Sequence, residues 1–302
     1  MQVSSNNINL EVQEFGHKDN IPLIMISGFG SQLCDWPINL INKIVEREFR
    51  VIIFDNRDVG LSHKFEDNKI DDMNLIWKYS FSREKLSKDV EKPKVPYSLK
   101  DMAEDCINIL SELSIKKAHI LGTSMGGMIA QLVAFNYPDR CKSLISVMST
   151  SGNPKLPRPS KEVIEGLTRQ PKSSSKEDVI ENNLMTRRLW ASPKYPTSEE
   201  ILRENFSYRY DRMHYPDGST RQYAAIGDDG DRTLRLKKIS LPTLVLHGSS
   251  DNLVPLEAGK DTHRNISGSN IEILDGWGHD LPEGTHDWIV DKIHNHIKSC
   301  NE

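Results

Sequence analysis

Short apolar runs that end at turn signals recur along this chain. Pro22 to Ile26 (PLIMI) stops at SGFG, Arg50 to Phe54 (RVIIF) at DNRDVG, and Ala118 to Leu121 (AHIL) at GTSMGG. Runs of this kind predict strands buried on both faces, as the interior of a parallel sheet requires. Residues 8–15 (INLEVQEF) alternate imperfectly and predict an earlier strand. Between runs the period lengthens. Behind Ser98 and Asp101, which read as a capped start, Met102, Cys106, Ile109, Leu110 and Leu113 fall on one helix face. Strands alternating with such helices predict parallel pairing through crossovers.

The alternation breaks after the predicted strand Leu144 to Met148. Residues 152–160 carry three prolines, and QPKSSSKEDV is too polar to be core. Irregular helices then run to about residue 230, including NNLMTRRLW and EEILRENFSYRYDRM, before LPTLVLHG restores a buried strand at 243–247. The predicted organisation is therefore a core in two parts, 1–151 and 231–302, with a helical cap at 152–230. A helix near 255–264, a strand at 271–274 and a helix at 284–298, striped by Trp288, Ile289, Ile293 and Ile297, complete the core. The charged stretch 82–96 reads as a solvated loop.

Composition narrows the function classes. The 302 residues are 37% hydrophobic and 27% charged, an ordinary globular mixture, and 39 basic residues scattered among 43 acidic ones leave no footprint for nucleic acid. Cys34, Cys106, Cys141 and Cys300 are too dispersed for a zinc knuckle or a redox dithiol and read as free thiols; no metal site is expected. The start lacks a basic segment followed by an apolar one, and no later stretch is apolar enough to span a bilayer. The expectation is a cytoplasmic protein with no membrane partner, its oligomeric state open.

The chemistry begins at Gly122-Thr123-Ser124-Met125-Gly126, a G-x-S-x-G between a predicted strand and a predicted helix. That context is the one in which a serine on a tight turn becomes a nucleophile. A serine hydroxyl needs a base to take its proton and a carboxylate to orient that base. His279, in the glycine-punctuated loop DGWGHDLP, is the favoured base; His119 and His247 are embedded in strands, and His294 and His296 lie on the last helix. Asp251 follows the strand at 243–247 and is the favoured acid, with Asp275 and Asp280 as rivals too near His279 in sequence to reach its far nitrogen. Met125 N–H, at a helix start, would donate to a developing oxyanion.

The segments SGFGSQLCDWP, DNRDVGLS, GTSMGGMIAQ, HGSSDNLVP and GWGHDLP together resemble the α/β-hydrolase superfamily, in particular the bacterial esterase branch of aclacinomycin methylesterase-like enzymes. The resemblance spans about residues 8 to 298 and is weakest in the cap. It implies a mostly parallel, eight-stranded sheet flanked by helices, a triad of Ser124, Asp251 and His279, a second oxyanion N–H from Phe29, and no cofactor. The chain has Ser27-Gly28 where His-Gly is frequent.

Two further features carry no added function. GFGSQL with Asp55 downstream imitates a dinucleotide fingerprint, but Leu33 replaces the third glycine and Trp36-Pro37 delays the helix. The turn DNRDVGLS reads as bracing. The expected activity is hydrolysis of a small-molecule carboxylic ester, with lactone, carbon–carbon bond hydrolysis or perhydrolysis as alternatives on the same triad, and a non-catalytic ligand receptor as an alternative of another class. Trp190 and Tyr210 are the expected pocket residues of the cap, which is read as a selector separable from the chemistry. Arg187, Arg188, Arg209 and Arg212 read as solvated cap residues that would otherwise favour an anionic substrate.

Overall fold

In a computed structural model, which describes residues 1–82 and 90–300, eight strands form one sheet. They are β1 (Gln2–Ser5), β2 (Ile8–Phe15), β3 (Ile21–Ile26), β4 (Phe49–Phe54), β5 (Ala118–Thr123), β6 (Cys141–Val147), β7 (Thr243–Gly248) and β8 (Asn270–Leu274). Across the sheet the order is β1-β2-β4-β3-β5-β6-β7-β8, with β2 antiparallel to both neighbours and all pairings from β4 to β8 parallel. The helices are α1 (Ile38–Val45), α2 (Met73–Phe81), α3 (Leu99–Glu112), α4 (Met125–Asn136), α5 (Lys161–Thr168), α6 (Lys176–Arg188), α7 (Glu199–Arg212), α8 (Asp217–Asp229), α9 (Thr233–Leu236), α10 (Leu256–Asn265) and α11 (His286–Ser299).

Successive side chains of a strand point to opposite faces, so each apolar run feeds two cores at once. Ile24, Ile26, Ile52, Phe54 and Ile120 pack with α3 and α4 on one face. Their neighbours Leu23, Met25, Val51, Ile53 and Leu121 pack with α1 and α11 on the other. Each such side chain, fully buried, contributes roughly 1.5–3 kcal/mol. Helix α3 starts as its sequence predicts, with Ser98 and Asp101 forming a reciprocal capping box.

Chain direction places the site. From β3 the chain moves outward to β4 and returns to β5 on the other side of β3, so the loops leaving β3 and β5 diverge at a switch point. Ligands of open α/β sheets bind in the crevice that such divergence opens at the carboxyl ends of the strands.

Helices α5 to α8 all lie between β6 and β7, which are adjacent strands, so the sheet closes as if that segment were absent. Three details differ from the sequence pattern. Gln2–Ser5 forms an edge strand where no strand is expected. The polar stretch QPKSSSKEDV contains the start of α6, whose first turn is capped by Ser175 Oγ accepting from Asp178 N at 3.3 Å. Strand β6 begins at Cys141 and ends before Met148, whose φ of 41° turns the chain away. Of the expected solvated loop 82–96, residues 83–89 lie outside the described residues. Among the described residues no helix is long and apolar enough to cross a membrane.

Candidate active site

Ser124 sits between β5 and α4 with φ 54° and ψ −120°, a conformation that costs a non-glycine residue about 1–3 kcal/mol. Its surroundings hold it there. Ser124 N donates to Val147 O at 3.0 Å, and Ser124 O accepts from Gly127 N at 2.9 Å and Ser149 Oγ at 2.7 Å. The flanking glycines are required by contact: a Cβ on Gly122 would stand 2.0 Å from Gly126 O, and one on Gly126 would stand 2.0 Å from Ile26 O. The turn is thus tight enough to lift the serine hydroxyl off the sheet.

His279 and Asp251 come together from the loops after β8 and β7. Asp251 Oδ2 accepts from His279 Nδ1 at 2.7 Å, while Oδ1 accepts from Leu253 N at 2.9 Å and Val254 N at 2.7 Å. Burial of the carboxyl would push its pKa up, but the facing His279 and hydrogen bonds from His247 and His279 outweigh it and hold the acid well below the usual carboxylate range. With Asp251 on Nδ1, Nε2 is the ring nitrogen left to meet another partner.

The rivals of Asp251 point elsewhere. Asp275 is exposed, paired with Lys194 and accepting from Ser249 Oγ at 2.9 Å. Asp280 is buried and bonded to Ser192 Oγ. Burial raises its pKa, an effect opposed by the Ser192 hydrogen bonds and the nearby Arg187 charge. His247, which the strand pattern relegates to the core, is fully buried; its Nε2 donates to Val254 O at 2.8 Å and lies 3.5 Å from Asp251 Oδ2.

Ser124, His279, Phe29 and Met125 line one cavity of about 730 Å³. A Cβ on Gly28 would stand 3.2 Å from Ser124 Cβ, so the loop after β3 passes directly over the serine. Among the described residues neither Phe29 N–H nor Met125 N–H has a protein acceptor. Free N–H donors beside a strained serine suit a developing oxyanion. Asp55, the residue that imitated a ribose ligand, is closed off: it accepts from Leu33 N at 2.7 Å, Leu61 N at 2.8 Å and Arg212 Nη2 at 2.7 Å.

Residues 21–283 match the family described as the alpha/beta hydrolase fold. The chain belongs to that family. Similar proteins include the rhodomycin D methylesterase DnrP of Streptomyces peucetius, 20% identical over 99% of this chain and 98% of the methylesterase. A 2-hydroxy-6-oxononadienedioate/2-hydroxy-6-oxononatrienedioate hydrolase of Pseudomonas putida is 30% identical over 57% of this chain and 59% of its own length. Among solved structures, a thermophilic esterase from Thermogutta terrifontis superposes with a TM-score of 0.71 at 22% identity, covering 100% of this chain and 99% of the esterase.

The sequence pattern assigned the residues lining the cavity imperfectly. Trp190 lines the cavity, as expected. Tyr210 does not: its hydroxyl donates to Ser174 O at 2.8 Å, its ring stacks on His214, and it faces a separate neighbouring cavity. Leu184 and Phe206 are used up in a small core of the segment itself. Leu156, Ile164 and Leu167 line the cavity instead, from a stretch whose prolines and charges disguise it.

The four arginines separate. Arg212 is buried on Asp55, Arg188 pairs with Glu199 at the surface, and Arg209 Nη2 donates to Gly30 O at 2.5 Å. Of these four, only Arg187 lines the cavity without an ion pair among the described residues, its guanidinium 6.0 Å from the Phe206 ring centre. Burial pushes its pKa down, as expected for a charge that lacks a direct partner.

Proposed function

We propose that this alpha/beta hydrolase cleaves a carboxylic ester by a two-step acyl-enzyme mechanism. Ser124 Oγ attacks the ester carbonyl as His279 Nε2 takes its proton, and the tetrahedral oxyanion is met by the N–H groups of Phe29 and Met125. Collapse expels the alcohol, which receives the proton from His279, and water then attacks the acyl-serine with His279 again as base. Asp251 keeps the imidazole oriented and stabilises its cationic form. The observation that carries this reading is the buried Asp251–His279 pair opening on the same cavity as the strained Ser124. The similarity to a methylesterase and to a solved esterase is consistent with it.

A second reading is hydrolysis of a carbon–carbon bond by the same residues. Arg187 favours it, because an unpaired guanidinium in the cavity suits a substrate carboxylate, and the Pseudomonas putida relative is named for a dioate substrate. The deciding experiment is a hydrolysis screen of p-nitrophenyl esters of graded chain length beside lactones, amides and a carboxylated vinylogous 1,5-diketone. Ester turnover that disappears in Ser124→Ala supports the first reading; turnover of the diketone alone replaces it with the second.

A further inference from the structure

Ser192 lies in the turn between α6 and α7, within the segment inserted between β6 and β7, and is only 2% exposed. Its side chain and its backbone amide both bind the loop that carries His279. Ser192 Oγ donates to Asp280 Oδ1 and accepts from Gly278 N at 2.8 Å, and Ser192 N donates to Asp280 Oδ2 at 3.3 Å. Two residues earlier, Trp190 O accepts from His279 N at 2.7 Å. The approach is close enough that a Cβ on Gly278 would stand 2.4 Å from Trp190 O. Behind the loop, Trp277 Nε1 donates to Asp280 O at 2.7 Å.

The residues on either side of His279 are thus tied to Ser192, and the His279 amide itself to Trp190. Asp251 orients the ring through Nδ1, but the reach of Nε2 toward Ser124 also depends on where the loop holds the His279 backbone. Geometry errors of about 1 Å at a reacting group cost on the order of 100-fold in rate. A buried Asp280 deprived of its hydroxyl donor would move to find another, because an unsatisfied buried carboxylate is costly.

We propose that Ser192 is a positioning residue for the base: by holding Asp280 and Gly278 it fixes the His279 loop, so that the inserted segment and the base form one mechanical unit. This rests on the assignment of His279 as base in the preceding section. It also replaces the expectation that the segment 152–230 is separable from the chemistry.

The full chain is assayed with p-nitrophenyl acetate, a substrate too small to need the cover, and with a fluorophosphonate that reports how readily Ser124 is activated. Ser192→Ala should lower kcat and the maximal labelling rate roughly 10- to 100-fold, with KM and the inhibitor's apparent affinity changed less than about two-fold. Ser192→Thr, which restores the hydroxyl, should recover most of the rate. Tyr210→Phe, which loosens the same segment away from this loop, should leave kcat for the acetate unchanged. If Ser192 only anchored the cover, the loss would fall on KM for bulky esters, and that result overturns the proposal, as does a wild-type kcat in Ser192→Ala. Should Ser192→Ala lose its near-UV circular dichroism, Asp280→Asn carries the test: reduced kcat at constant KM supports the proposal, wild-type kcat overturns it. Wild-type protein that is never labelled at Ser124 fails the ester reading and the proposal together, whereas labelled wild type with an indifferent Ser192→Ala overturns the proposal alone.

Discussion

Arg212, at the end of α7, binds the fully buried carboxylate of Asp55 at 2.7 Å, joining the segment inserted between β6 and β7 to the turn that follows β4. A second buried pair, Arg221 with Asp58, repeats the link from α8, and Tyr97 donates to Asp58 at 2.7 Å. The charged turn after β4 is therefore a clamp. Removing one partner of such a pair strands a buried charge, at a cost of about 3–5 kcal/mol. Arg212→Ala should lower the unfolding free energy by that order, and Arg212→Met, by filling the space, should do no better because Asp55 stays uncompensated. Urea unfolding of the two variants measures this.

The assignment of the acid is tested by three substitutions. Asp251→Asn should keep the fold and lower kcat by up to about 10⁴-fold, as the amide favours the wrong imidazole tautomer. Asp275→Asn should be near wild type, because Asp275 is exposed and spends its charge on Lys194. Asp280→Asn should fall between them. Steady-state kinetics with circular dichroism for folding rank the three, and a near-wild-type Asp251→Asn moves the acid elsewhere.

The nucleophile turn tolerates no added methyl group. Gly126→Ala would drive a Cβ to within 2.0 Å of Ile26 O, a backbone atom of β3 that cannot yield without displacing the loop after it. Loss of ester turnover together with a lowered melting temperature is expected; an active, stable Gly126→Ala protein would contradict the described geometry.

Stability should fall in mild acid for reasons remote from the site. Burial pushes His119 down to about 3 and His296 down to about 4. Both are neutral in the folded protein, whereas the unfolded chain takes up protons below about pH 6.5. Their contribution is complete above that value and is lost as pH falls from about 6.5 toward 4 and then 3, by roughly 1.4 kcal/mol per pH unit for each histidine. Urea midpoints at about pH 7.5 and about pH 5 should differ less in His296→Gln than in wild type.

Elements whose signal is local were legible in the sequence. The continuous apolar runs of β3, β4, β5 and β7 and the Ser98–Asp101 box at α3 needed no distant partner to be recognised. Edge strand β1 escaped because QVSS is short and polar, and it exists by pairing with β2. In the site, the order Ser124, Asp251, His279 could be proposed from the sequence because each residue lies just after a predicted strand: Ser124 and Asp251 follow the buried β5 and β7, His279 the partly exposed β8. Ser192 was not, since its partners lie 86 and 88 residues away and one tie of its segment is a backbone carbonyl, which carries no residue-type signal. Tyr210 misled because its aromatic ring advertises a pocket wall, while its hydroxyl is committed to Ser174 O. Arg187 could be singled out only after the structure had paired its neighbours.

The proposed activity stands on Ser124 as a nucleophile activated by His279. Its most direct test is to treat the folded chain with a fluorophosphonate and map the adduct by peptide mass spectrometry. One adduct is expected, on Ser124, formed far more slowly in His279→Ala. Modification of a different residue, or none in folded protein that hydrolyses esters, would contradict it.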